Sequence, residues 1–200
     1  MDRPITTGIH GGPVAGMIRH RHALFVLLIL LAAGLIEWAN GRSLLCPCGH
    51  VALWTGTVHG PENSQQIADW YSLSHLVHGL LFYGGLWLVA RRWPVGRRLV
   101  LATAIEAGWE LLENSPIIID RYRAATMAWG YSGDSVLNSM SDILFMIAGF
   151  LIARRLPTWG SVALGLALEL IALAAIRDNL TLNVLMLVHP IEAVRVWQGG

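Results

Sequence analysis

Two runs decide the fold: Glu106-Ala107-Gly108-Trp109-Glu110-Leu111-Leu112-Glu113-Asn114 and, after a polar connection, Gly133-Asp134-Ser135-Val136-Leu137-Asn138-Ser139-Met140-Ser141-Asp142. Each sits in an apolar segment long enough to cross a bilayer. A charge at the centre of a membrane helix costs about 2.5–3.5 kcal/mol on insertion scales. Glu106, Glu110, Glu113, Asp134 and Asp142 therefore need a shared environment away from lipid.

Composition points the same way. The chain has 200 residues, 54% of them hydrophobic and 14% charged. Soluble domains carry about 25% charged residues, so the deficit argues for a multi-pass membrane protein. The net charge of +1 gives no bulk attraction to nucleic acid. Trp38, Trp70, Trp93 and Trp159 fall near predicted segment ends, where they suit interfacial anchoring. Trp87 and Trp109 read as core.

Residues 1–21 read as a disordered cytoplasmic tail. The apolar run from Ala23 to Ile36 continues into Glu37-Trp38 without a small-x-small cleavage site. A retained first helix, about 22–39, fits better than a signal peptide. Breakers from Gly41 to Pro61 make about 40–70 a loop. A second helix covers about 71–90 and is stopped by Arg91-Arg92-Trp93-Pro94. A third covers about 99–114, ending before Pro116. A loop at about 115–133 follows, then helices over about 134–153 and 161–176. The apolar run 180–188 is shorter than the roughly 20 residues of a full span. It either extends through Pro190 as a sixth helix or is re-entrant. The expectation is an all-α, polytopic transmembrane helical bundle of five to six helices, one domain over 22–197.

Arginine placement gives the orientation. With the N-terminus inside, nine Arg lie in cytoplasmic segments and four (Arg42, Arg121, Arg123, Arg177) lie outside. That is the pattern of a bacterial inner-membrane protein, with the loops at about 40–70 and 115–133 exterior.

In this orientation the polar residues share one depth. Tyr71, Ser74, His75 and His78 open the second helix. Glu106, Glu110, Glu113 and Asn114 close the third. Asp134, Ser135, Asn138 and Asp142 open the fourth. At about 100° per residue, the three glutamates lie within about 60° of one another and climb about 10 Å. Three such stripes should face each other across an outward-facing polar cavity. Arg121 and Arg123 would stand at its rim, reaching a phosphate or carboxylate.

Several chemistries fit this set. His and carboxylates one turn apart on facing helices can hold a metal, although the Glu-x-x-His pair of di-iron bundles is missing. Crowded carboxylates beside an imidazole can also do acid–base work on an amphiphile, with Glu110 and either His75 or His78 as the pair. Proton or solute passage is disfavoured because, apart from Glu169, ionisable groups do not continue toward the inner side. The remaining reading is structural: a buried polar cluster that only locks helices together. The residues name no cofactor and leave metal binding open.

Smaller motifs add little. Cys46-Pro47-Cys48-Gly49-His50 suggests a loop clip, or less strongly a metal ligand set. Gly133-Asp134-Ser135 looks like an esterase block. At the mouth of a membrane helix, however, Asp134 or Ser135 is better read as an N-cap. Glu62 to Gln66 reads as a lid segment or a surface turn.

Jointly, the motifs resemble an uncharacterised family of bacterial multi-pass inner-membrane proteins. They are Cys46-Pro47-Cys48-Gly49, Glu62-Asn63-Ser64-Gln65, Asp69-Trp70-Tyr71-x-x-Ser74-His75-x-x-His78, Trp109-Glu110-x-x-Glu113-Asn114, Arg121-Tyr122-Arg123 and Gly133-Asp134-Ser135-x-x-Asn138. That resemblance implies location and topology, with no assigned activity. A looser similarity runs to VanZ-like glycopeptide-resistance proteins, through His, Glu, an Arg-containing loop and Asp134-x-x-x-Asn138. It implies an envelope-facing ligand. The expected function is binding or processing an amphiphilic or envelope-derived small molecule. Glu106, Glu113, Asn114, Arg121, Arg123, Asp134, Asn138 and Asp142 would contact it, and membrane lipids would surround the bundle.

Overall fold

Helix boundaries fall where the chain changes chemistry. The computed structural model describes residues 13–126 and 130–199. Its elements are α1 (Pro13–Ala39), α2 (Ser72–Ala90), α3 (Val95–Glu113), α4 (Pro116–Ala125), α5 (Val136–Arg155), α6 (Thr158–Ile176), α7 (Leu180–Val188) and α8 (Glu192–Gln198). No strand occurs among the described residues. Pro94 and Pro157 stand immediately before α3 and α6, where a missing N–H is harmless. Arg154 and Arg155 end α5, where positive charge complements the helix dipole.

Three boundaries differ from expectation. Helix α1 starts at Pro13, inside the supposed tail; residues 1–12 lie outside the described residues. The supposed loop at 115–133 contains α4. Pro116 starts a helix here rather than ending one, with Ser115 extended before it. Ile119, Tyr122 and Ala125 are buried at three-residue spacing, which is the inward stripe of a surface helix. At the C-terminus no sixth span forms. His189 and Pro190 separate α7 from α8, each too short to cross a bilayer.

Four helices are long and apolar enough to cross a membrane: His20–Ala39, Ser72–Ala90, Val136–Arg155 and Thr158–Ile176. Helix α3 has the same length as α2 but carries Arg97, Arg98 and three glutamates. The exterior is apolar. Leu24, Leu28, Leu31 and Leu35 on α1, and Val162, Leu166 and Leu170 on α6, are all exposed. A continuous apolar exterior of this kind needs a nonpolar surround. Trp87 belongs to it, being 49% exposed rather than core.

Helix α5 is the hub, with half of its apolar window buried against 6% for α6. Its contact with α2 is closest. A methyl group on Gly79 would overlap the Met146 carbonyl oxygen and lie 2.5 Å from the Phe150 nitrogen. One on Gly149 would overlap the Leu76 carbonyl oxygen. Only hydrogen at both positions lets the two backbones touch. Below the polar end, Leu86, Ala102, Met146 and Phe150 form one apolar cluster. Ala33, Ala107 and Ile143 form another, joining α1, α3 and α5. The C-terminal turns of α1 and α3 thus meet the N-terminal turns of α2 and α5, with apolar packing as the floor.

Candidate functional site

The first turn of α2 is fixed before its histidines are placed. Asp69 Oδ1 accepts from the Tyr71 and Ser72 amides, and Ser72 Oγ accepts from the Asp69 amide. This reciprocal cap satisfies otherwise orphaned donors. Ser72 Oγ also donates to Asp142 Oδ1 at 2.8 Å, tying the start of α2 to α5. His75 and His78, three residues apart, then face α3 together.

Glu106 receives both rings. Its Oε1 lies 2.7 Å from His75 Nδ1 and 2.9 Å from His78 Nδ1. One helical turn on, Glu110 Oε1 is 3.4 Å from the same His75 nitrogen without hydrogen-bond geometry. Both Glu110 oxygens are buried and have no hydrogen-bond partner. The opposite nitrogen, His75 Nε2, is 3.8 Å from Asp142 Oδ2. Glu113 accepts from Tyr122 Oη at 2.9 Å. The imidazole of His75 therefore stands among three carboxylates from two helices. With Nδ1 of His78 held by Glu106, its Nε2 is the ring atom left for a ligand.

A second network closes the end of the bundle. Asn114 Nδ2 donates to Asp134 Oδ2 and Ser139 Oγ, and Asn114 Oδ1 accepts from the Asp134 amide. Tyr131 Oη donates to Asp134 Oδ1 at 2.8 Å. Burial pushes the Asp134 carboxyl up to about 6, against the pull of Tyr131 and Asn114. Ser135, rather than Asp134, caps α5, its Oγ accepting from the Asn138 amide. Gly133 has φ +86°, and a methyl group there would press on Asn114 Oδ1 and the Arg42 guanidinium. The loop before α2 is stapled to this turn. Asn138 Nδ2 donates to the Gln66 carbonyl, Gln65 Nε2 to the Gly133 carbonyl, and the Ser135 amide to the Ser64 carbonyl. Glu62 to Gln66 is thus a fastened cover. Cys46 and Cys48 are bridged in the same loop.

Two cavities meet at His75. One, about 40 Å³, is polar and lies beneath the cover, among Ser64, Tyr131, Asp134, Asn138, Asp142 and Asp178. The other, about 230 Å³, lies between α2, α3 and α7. His75, His78, Glu106 and Glu113 are polar at its base, and Phe82, Ile105, Trp109, Leu180 and Val184 are its apolar walls. Tyr71, Glu113, Tyr122 and Asn183 border both. An apolar cleft with a few convergent polar groups is the usual form of a small-molecule site.

The expected residues divide. His75, His78, Glu106 and Glu113 line the larger cavity, with Glu110 directly behind. Asp134, Asn138 and Asp142 line the smaller one. Asn114 is buried as a bracket between α3 and α5. Arg121 and Arg123 line neither cavity. Arg121 Nε donates to the Leu187 carbonyl on α7, and Arg123 Nε to the Tyr131 carbonyl.

Three contributors escaped the sequence reading: Tyr131, Asp178 and Asn183. Burial raises Asp178 to about 6, and it meets Tyr71 Oη at 3.4 Å. Asn183 Oδ1 lies 2.9 Å from the same Tyr122 Oη. The signal available was Arg177-Asp178-Asn179, a polar break before an apolar run whose Asn179 caps α7.

The family described as "Protein of unknown function (DUF2585)" matches residues 37–200. This chain belongs to DUF2585. Similar bacterial proteins bear the name "UPF0314 protein". The one from Novosphingobium aromaticivorans is 60% identical over 175 residues, covering 85% of this chain and 88% of that protein. The one from Sphingopyxis alaskensis is 55% identical, covering 94% and 99%. A Rhizobium etli protein is 53% identical, covering 92% and 95%. No solved structure matches. The DUF2585 match agrees with the expected uncharacterised bacterial family; a relation to VanZ-like proteins is not shown by these matches.

Proposed function

We propose that this DUF2585 chain is a multi-pass protein of the bacterial inner membrane, N-terminus cytoplasmic, that binds an amphiphilic, envelope-derived small molecule. The observation that carries this reading is the larger cavity. Its walls are Phe82, Ile105, Trp109, Leu180 and Val184, while its base is His75, His78 and Glu106. An apolar chain fits the walls, and a polar head group meets the base. In the proposed orientation the cleft lies in the outer half of the bilayer. Its chemistry is proton transfer. Glu110, 3.4 Å from His75 Nδ1, is the acid–base group, with His75 or His78 presenting the proton to the head group.

The structural alternative has its own support, but for a different subset. Asn114, Asp134 and Asn138 spend their polar atoms on neighbouring helices and loops. They lock the bundle. That role does not account for Glu110, whose oxygens bond to nothing.

The test uses protein extracted from native membranes into nanodiscs. Small molecules retained by wild type, His78→Gln and Glu106→Gln are compared by mass spectrometry. The expected result is one amphiphile class enriched in wild type and reduced about tenfold or more in both variants, the loss of one charged hydrogen bond. Wild-type extracts indistinguishable from bulk membrane lipid would refute the reading.

A further inference from the structure

The buried base of the cleft has an electrostatic imbalance. Glu106 and Glu110 stand at His75 Nδ1 and Asp142 at its Nε2, with His78 against Glu106; a Glu113 oxygen lies within 4.8 Å of the His75 and Glu110 ligand atoms. No Arg side chain reaches them among the described ion pairs, and Arg121 and Arg123 are engaged elsewhere. Buried carboxylates are stable when paired, protonated or coordinated to a cation.

The geometry favours coordination. Tetrahedral ligands at about 2.0–2.1 Å from a zinc ion lie about 3.3–3.4 Å from one another. Glu110 Oε1 stands 3.4 Å from His75 Nδ1. Glu106 Oε1 is 2.7 Å and 2.9 Å from the two histidine Nδ1 atoms; an ion that replaces these two hydrogen bonds would need the ligands to part by about half an ångström. The ligand atoms of His75, His78 and Glu106 lie within 4.8 Å of one another, as do those of His75, Glu110 and Glu113. Glu110 is the independent sign. It is 1% exposed, aimed at the shared His75 nitrogen, and has no donor on either oxygen.

We infer that His75, His78, Glu106 and Glu110 form a binding site for one divalent first-row transition metal ion, with zinc the best chemical match. Two imidazoles and two carboxylates, without a thiolate, suit zinc. Tyr122, which donates to Glu113, holds that carboxylate behind the site as an outer-shell acceptor. The larger cavity borders His75, His78 and Glu106, so the ion would sit at the base of the cleft that receives the proposed amphiphile. The inference rests on the reading of the cleft given above and, with the ion bound, assigns Glu110 to coordination instead of proton transfer; ion binding is measured apart from amphiphile retention.

The experiment uses the full chain purified with a non-histidine affinity tag and stripped with a chelator. Zn²⁺ is titrated while heat and melting temperature are followed, and Co²⁺ is titrated while visible absorption is followed. Wild type should bind about one ion per chain, melt at a higher temperature with zinc, and show intense cobalt d–d bands from an imidazole–carboxylate site. His78→Gln and Glu110→Gln should each weaken affinity about tenfold or more, with melting temperatures in chelator near wild type. If either variant fails to fold, the wild-type cobalt spectrum and zinc shift decide alone. No zinc shift and no cobalt bands in folded wild type, or undiminished binding by both folded variants, overturns the site. An amphiphile retained without metal binding removes the metal and keeps the cleft; metal without amphiphile does the reverse.

Discussion

Glu110 holds two oxygens in the bundle interior that no donor reaches, 3.4 Å from His75 Nδ1. A carboxylate kept only for packing would be paired. Glu110→Gln in chelated protein should therefore fold and melt at or above the wild-type temperature, because it replaces a buried carboxylate that no hydrogen bond satisfies. A structural carboxylate would instead lose about 1–3 kcal/mol, read in a thermal melt. Asp134 gives a pH test with a definite sign. Its carboxyl is raised from the ordinary 3.8 to about 6. Between those values the folded state holds a proton that the unfolded state has released. Its contribution to stability is full below about pH 4 and lost as pH rises through about 6. Melting temperature should fall over that window, and Asp134→Asn should flatten the fall. Equal slopes for both proteins would count against it. Asp178, also near 6, adds in the same direction. At this scale the sequence disclosed the glutamate and histidine stripes, because one-turn spacing is visible without a fold. It did not disclose Tyr131 and Asp178, which sit on loops, or Asn183 on the short α7, because their approach depends on packing.

The close crossing of α2 and α5 places His75 opposite Asp142. It depends on Gly79 and Gly149, each with a backbone atom of the other helix where a Cβ would sit. Gly79→Ala should cost about 1–3 kcal/mol or more, since neither backbone can yield as a side chain would. A melt unchanged from wild type would show that the helices are not in contact. Ser135→Ala removes the cap of α5 and should cost about 1 kcal/mol in the same assay. Element boundaries were the weakest part of the sequence reading for a physical reason. A proline is equally at home after a helix and in the first turn of the next. At Pro94 and Pro157 the flanking arginines marked the break, although the helices that follow begin at Val95 and Thr158 rather than at about 99 and 161. At Pro116 no charge marked the restart, so α4 was hidden, and with it the backbone carbonyls that Arg121 and Arg123 bond.

The whole molecule presents an apolar exterior on α1 and α6 and gathers its buried carboxylates and His75 at one end, with arginines at the other. The shared depth of the three stripes was readable because helix direction alternates across short connections. Residues from α4 and α7 completed the end of the bundle beyond what that alternation could say. The proposed topology has a direct check. Fluorescent protein fused to the N-terminus should fluoresce, and alkaline phosphatase inserted near Gly60 should be active. The opposite pair would invert the bundle and turn the cleft to the cytoplasmic leaflet. The central claim is that the cleft between α2, α3 and α7 receives an amphiphile whose head group meets His78 and Glu106. An electron cryo-microscopy map of the protein in nanodiscs of native lipid tests it most directly. The account predicts elongated density between Phe82, Trp109 and Val184, ending in a head group against His78. A cleft collapsed on its own side chains, with His78 and Glu106 sealed from it, would contradict the account.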